Sequence, residues 1–266
     1  MFGTLRMNRS AMLTSLVVLS LSIAALTSTA APMAGETGVA AAASPGIAAI
    51  EKAAKANKYL FIFFYMGQDS QTAAMNGIFQ AAMAKMTDRA DSLAIYAADP
   101  AEKAIIDKFA IRGAPMPLVL AIAPTGAPTK AFPKQFDEEQ LQKAFVTPCT
   151  AKCMKAIMDR HTILLCVQSG KTQFNEEAMQ GVKAFKDDPQ YTKGTEIVML
   201  NPTDKAEQPF LKALQVDSRT TSAVTLLVMP PGAPVARFAG AVTKEQIEAA
   251  VKAAASGCGP NCSCHH

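Results

Sequence analysis

The residues best equipped for chemistry are six cysteines and a closing pair of histidines. Cys149, Cys153, Cys166, Cys258, Cys262 and Cys264 all lie in the second half of the 266-residue chain. The densest cluster is at the C-terminus. Cys258-Gly-Pro-Asn-Cys262-Ser-Cys264-His265-His266 gathers three thiols and two imidazoles within nine residues. Thiolate and imidazole are preferred ligands of zinc and copper. The Gly-Pro-Asn insert is turn chemistry that folds two sulfurs toward one centre. Three thiolates suit Cu(I), and an added histidine completes a tetrahedral zinc site. Cys258, Cys262, Cys264, His265 and His266 are therefore the candidate metal ligands, with copper or zinc as the candidate ion. A disulfide-knotted tail is the competing reading.

Cys149 and Cys153 form a second group, Cys-x3-Cys. Thr147 as cap and Pro148 at the first helical position predict a helix that begins just before them. Positions i and i+4 then share one face, and a helix N-terminus favours thiolate. The pair is a candidate structural disulfide, redox couple or metal clasp. Cys166, inside the apolar run Ile163-Leu164-Leu165-Cys166-Val167, is expected to be a buried small hydrophobe. His161, just ahead of that run, is expected at the surface. The 14 methionines are scattered through apolar helices and read as core. If the tail folded back onto Cys149 and Cys153, four or five sulfurs would share one site.

Other chemistries find no support. There is no nucleophile with a base, no flanking pair of carboxylates and no phosphate-binding glycine loop. The formal charge is +4, and two of the basic residues, Arg6 and Arg9, lie at the N-terminus. The remainder is close to neutral and carries no basic stripe, which argues against nucleic acid as a partner.

Arg6 and Arg9 precede an apolar stretch over 11–26, and Ser28-Thr29-Ala30 supplies small residues for cleavage. Residues 1–30 are expected to be an export signal cut after Ala30, which places the protein in the periplasm or outside the cell with no membrane span after cleavage. That compartment permits oxidised thiols. Residues 31–43, rich in Ala and Gly, read as a flexible leader.

An internal repeat sets the elements that position these residues. A shift of 103 lays Ser44-Pro45 on Thr147-Pro148, Lys52 on Lys155, and Leu60–Phe64 on Ile163–Val167. A later shift of 106 lays Gly126-Ala127-Pro128 on Gly232-Ala233-Pro234 and Phe132 on Phe238. So long a period means duplicated domains, at 44–146 and 147–254, followed by a Cys/His-rich tail at 255–266. Each unit reads helix, strand, helix, strand, helix, strand, strand, helix. The runs 59–65 and 162–168 lack polar alternation and are expected to be central strands. Helices are expected over 101–109 and 137–145 in the first unit.

This order, with Phe109-Ala110-Ile111-Arg112-Gly113 leading to Pro117-Leu118-Val119-Leu120, resembles the thioredoxin-like superfamily. The resemblance implies an α/β fold of two tandem thioredoxin-like domains, each a central mixed β-sheet flanked by helices. It also implies a Cys-x-x-Cys dithiol where the first central strand meets the next helix. Here that corner holds Gln68-Asp69-Ser70-Gln71, and in the second unit Lys171-Thr172-Gln173-Phe174. Ala223 stands where the first unit has Pro117. Without a thiolate there is no thiol–disulfide exchange at either corner.

Three functions follow. The first is an exported protein that binds copper or zinc through its tail. The second is a thiol–disulfide oxidoreductase using Cys149 and Cys153. The third is a noncatalytic scaffold for a partner protein. Non-enzymatic readings are favoured.

Overall fold

A computed structural model of the chain describes residues 44–256. The first repeat begins with α1 (Pro45–Lys55), whose entry is fixed by the Ser44 hydroxyl accepting from the Ile47 N–H at 3.2 Å. It continues through β1 (Tyr59–Tyr65), α2 (Ser70–Ala84), β2 (Ala90–Tyr96), α3 (Lys103–Lys108), β3 (Leu118–Ile122), β4 (Pro128–Pro133) and α4 (Glu138–Gln142). The second repeat runs α5 (Pro148–Met158), β5 (Thr162–Val167), α6 (Asn175–Asp187), β6 (Thr195–Leu200), α7 (Gln208–Ala213), β7 (Val224–Met229), β8 (Ala233–Ala239) and α8 (Lys244–Ala255).

Two four-stranded sheets result, ordered β2-β1-β3-β4 and β6-β5-β7-β8. In each, the first two strands pair in parallel and the other two pairings are antiparallel. This is the strand order of a thioredoxin-like domain, built twice.

The central strands are apolar throughout because both faces are covered. Leu60, Ile62 and Phe64 of β1 pack with Ile50, Ile105 and Ile106 under α1 and α3, while Phe61 and Phe63 pack with Phe79 and Leu141 under α2 and α4. The second repeat keeps the pattern. Ile163, Leu165 and Val167 face α5 and α7, and Leu164 and Cys166 face α6 and α8.

Two helices differ from expectation. The helix expected over 101–109 starts as a separate 3-10 turn, Pro100–Glu102, before α3. Asp99 accepts from the Ala101 N–H at 2.9 Å, which tightens this turn and carries Glu102 inward. The helix expected over 137–145 stops at Gln142. Beyond it, the Thr129 hydroxyl donates to the Ala144 carbonyl at 2.8 Å, and the Tyr59 hydroxyl both accepts from the Val146 N–H and donates to the Val146 carbonyl, at 3.0 Å each. Side chains thus take the backbone groups that a longer helix would have used.

The helix α5 serves both repeats. Ala151 belongs to the first core, and Cys149, Cys153 and Ala156 to the second. The Thr125 hydroxyl, in the β3–β4 turn, donates to the Ala151 carbonyl at 3.3 Å.

Candidate functional sites at the two corners and in α5

The corner of the first repeat is a helix start, capped by a carboxylate. Asp69 accepts from the Thr72 N–H at 2.7 Å, and the Thr72 N–H and hydroxyl bonds hold its carboxyl below the usual carboxylate range. Gln68, Ser70 and Gln71 are exposed. Pro117, joined to Met116 by a cis peptide, is buried at the entry to β3. Beside this corner lies a cavity of about 380 Å³ lined by Phe63, Tyr65, Gln68, Thr72 and Asn76.

The second corner is built differently. The helix α6 starts at Asn175 after Phe174, which has φ of 63°. Judged by helix starts, the counterpart of Gln68-Asp69-Ser70-Gln71 is Gln173-Phe174-Asn175-Glu176, two residues later than the sequence repeat places it. The Gln173 N–H donates to the Thr221 carbonyl, and the Ala223 N–H donates to the Gln173 carbonyl, both at 2.9 Å. The segment therefore closes onto the entry to β7. Neither corner contains sulfur.

Cys149 and Cys153 occupy the inner face of the first two turns of α5, only 7% and 6% exposed. Both are unbridged. The proximity of Cys153, together with burial, drives the Cys149 pKa strongly up, and the same proximity of the two thiols lowers the pKa of Cys153. Residues four apart on a helix have Cβ atoms about 5–6 Å apart, whereas a disulfide needs about 3.5–4.5 Å. A bridge would therefore require the first turn of α5 to open.

Near these thiols sits a residue that sequence reasoning passed over. Glu207 is buried and accepts from the Thr147 hydroxyl at 2.9 Å. Burial raises its pKa, and its charge acts on both thiols. The first repeat has the same device. Glu102 accepts from the Gly46 N–H at 3.2 and 3.0 Å through its two oxygens. The available signal was the recurrence of Asp99-Pro-Ala-Glu102 as Asp204-Lys-Ala-Glu207, 105 residues on.

Cys166 is 2% exposed, on the opposite face of the sheet from Cys149 and Cys153, and burial pushes its thiol up to about 12. His161 is half-buried rather than at the surface, with Nδ1 3.5 Å from Glu196 Oε1. Cys258, Cys262, Cys264, His265 and His266 lie outside the described residues, as does the expected export signal. Among the described residues, no three His, Cys, Asp or Glu side chains are grouped to hold a metal, and no helix is long and apolar enough to cross a membrane.

No protein-family model and no curated protein sequence matches the chain. Solved structures similar to it include the first two thioredoxin domains of Saccharomyces cerevisiae Eps1p, at 9% identity and a TM-score of 0.28, covering 77% of this chain and 94% of that one. The zinc-bound form of human ERp44 follows at 10% identity and 0.32, covering 79% and 58%. The Drosophila thioredoxin Deadhead matches at 17% and 0.29, covering 35% and 81%. At such scores the fold rests on the strand order itself. By that order and its helix placement the chain is a tandem of two thioredoxin-like α/β domains, with no dithiol in either corner.

Proposed function

We propose that this is an exported, noncatalytic thioredoxin-like protein that binds copper or zinc through Cys258, Cys262, Cys264, His265 and His266. The observation that carries the reading is the packing of three thiols and two imidazoles into nine residues. The last helix ends at Ala255, so the ligand-bearing segment follows directly on a packed element. Supporting it is the want of sulfur at both corners, which leaves the fold without its exchange chemistry. A reductase using Cys149 and Cys153 would need thiols that a substrate disulfide can reach, and these two are buried and locked in helical spacing.

Metal analysis of untagged, full-length protein tests this directly. The tail is expected to account for about one copper or zinc per chain, and that ion is lost when the three tail cysteines become serine and the two histidines alanine. A parallel insulin-reduction assay is expected to read at background. Robust reduction that vanishes in Cys149→Ser would replace the metal reading with the enzymatic one.

A further inference from the structure

The two thiols of α5 are not needed by the scaffold. In the first repeat their positions are held by Gly46 and Ile50, and the helix, its cap and the sheet beneath it form equally well. At position 46 there is little room for any side chain: a Cβ there would stand 2.8 Å from Ile105 Cδ1 and 2.9 Å from Glu102 Oε2. The second repeat has made room, at the same place, for a sulfur at 149 and a second one turn on at 153. Both point into the same apolar cluster, with Ile163, Leu165 and Leu211.

What this pair can hold follows from its number, spacing and surroundings. Its spacing opposes a disulfide unless α5 unwinds. An ion placed between two sulfurs needs them further apart than a direct bond does, so the helical spacing suits a bridging ion. No third protein ligand is grouped with them among the described residues. Zinc seeks four ligands and so is poorly served. Soft thiolates select Cu(I), a d10 ion that accepts two ligands in a line.

The geometry points to a buried two-coordinate site for a monovalent soft cation, Cu(I), between Cys149 and Cys153 at the start of α5. Loading forms two Cu–S bonds and releases both S–H protons to solvent, with no change in oxidation state. The complex carries one negative charge. It sits at the N-terminus of an 11-residue helix, where the backbone dipole favours an anion. The Lys152 charge favours it and the Glu207 carboxylate opposes it. Cys149 and Cys153 lie on the α5/α7 face of the second sheet, and α8 packs on the other.

The test uses full-length protein with Cys258, Cys262 and Cys264 changed to Ser and His265 and His266 to Ala, reduced and kept anaerobic. Cu(I) is supplied as its bathocuproine disulfonate complex. One Cu(I) per chain is expected, with a two-sulfur first shell in X-ray absorption, displacement by Ag(I), and no uptake of Zn(II). Adding Cys149→Gly and Cys153→Ile installs the first repeat's own pair and is expected to abolish uptake while leaving the circular dichroism spectrum unchanged. Cys149→Ser/Cys153→Ala serves as a second variant should the first fold poorly. No Cu(I) uptake by the tail-substituted chain overturns the proposal, as does uptake that survives both pair variants. The converse protein, with its tail intact and the α5 pair replaced, keeps its tail-bound metal, so failure here is distinct from failure of the tail reading.

Discussion

Gly181 and Gly77 lie inside α6 and α2, and the same substitution is expected to act in opposite directions at the two. A Cβ on Gly181 would stand 1.8 Å from the Val242 carbonyl oxygen and 2.8 Å from its carbon. Both are backbone atoms in the segment leading into α8, so no side chain can swing aside. Either α6 and α8 separate or the Val242 peptide shifts by more than 1 Å (roughly the gap to ordinary contact). Overpacking commonly costs about 1–3 kcal/mol, and a rigid backbone neighbour puts this case at the upper end. At about 2–4 °C per kcal/mol for a body of this size, Gly181→Ala should lower Tm by about 6–12 °C. Gly77 has nothing within 4 Å of its added Cβ and is exposed in mid-helix. There alanine removes only the entropy cost of glycine, about 0.5–1 kcal/mol, and Tm should rise by about 1–4 °C. Thermal unfolding followed at 222 nm compares the two variants with the parent. A Gly181→Ala protein as stable as the parent would refute the close approach of α6 to the β8–α8 connection.

Other perturbations test other joints. Tyr59→Phe removes both hydrogen bonds to Val146 and leaves partly buried backbone groups unmet, at a cost of about 1–3 kcal/mol in urea unfolding; no change would mean that water replaces the hydroxyl without loss. Lys244 donates to Asp188 Oδ2 at 2.6 Å, which lowers the Asp188 pKa and raises its own. The aspartate's contribution is present above its unfolded pKa of about 3.9 and is lost as pH falls through the folded value. The lysine's is present below about 10.4 and is lost as pH rises through the folded value. Lys244→Met should therefore lower Tm on a plateau between about pH 5 and 10 and converge with the parent in acid. A gap that persists at pH 2 would assign the loss to packing instead.

The sequence made the strands legible because a strand buried on both faces has to be apolar. The run Tyr59–Tyr65 became β1 residue for residue. The caps Ser44, Thr147, Asp137 and Thr243 were readable for the same local reason, each accepting from a backbone N–H two or three residues into its helix. What escaped was long-range. Glu102 and Glu207 look like surface carboxylates in their own segments, and only the fold carries them to helix starts about 60 residues earlier in the chain. The second corner lies two residues later than the repeat implies because its loop after β5 is longer, and length differences inside a loop leave no periodicity to follow. The helix α4 ends before the sequence pattern does because Tyr59, far upstream, takes the backbone groups of Val146. The thiols of α5 were visible as a pair, but their burial depended on a sheet that sequence spacing alone does not orient.

The central claim is that sulfur chemistry has left the thioredoxin corner for metal binding at the chain's C-terminal end. Native mass spectrometry of the full-length protein, loaded anaerobically with Cu(I) or Zn(II), counts the bound ions. The count should fall by one ion when Cys258, Cys262, Cys264, His265 and His266 are replaced together. An identical count in the parent and the replaced protein would contradict the claim.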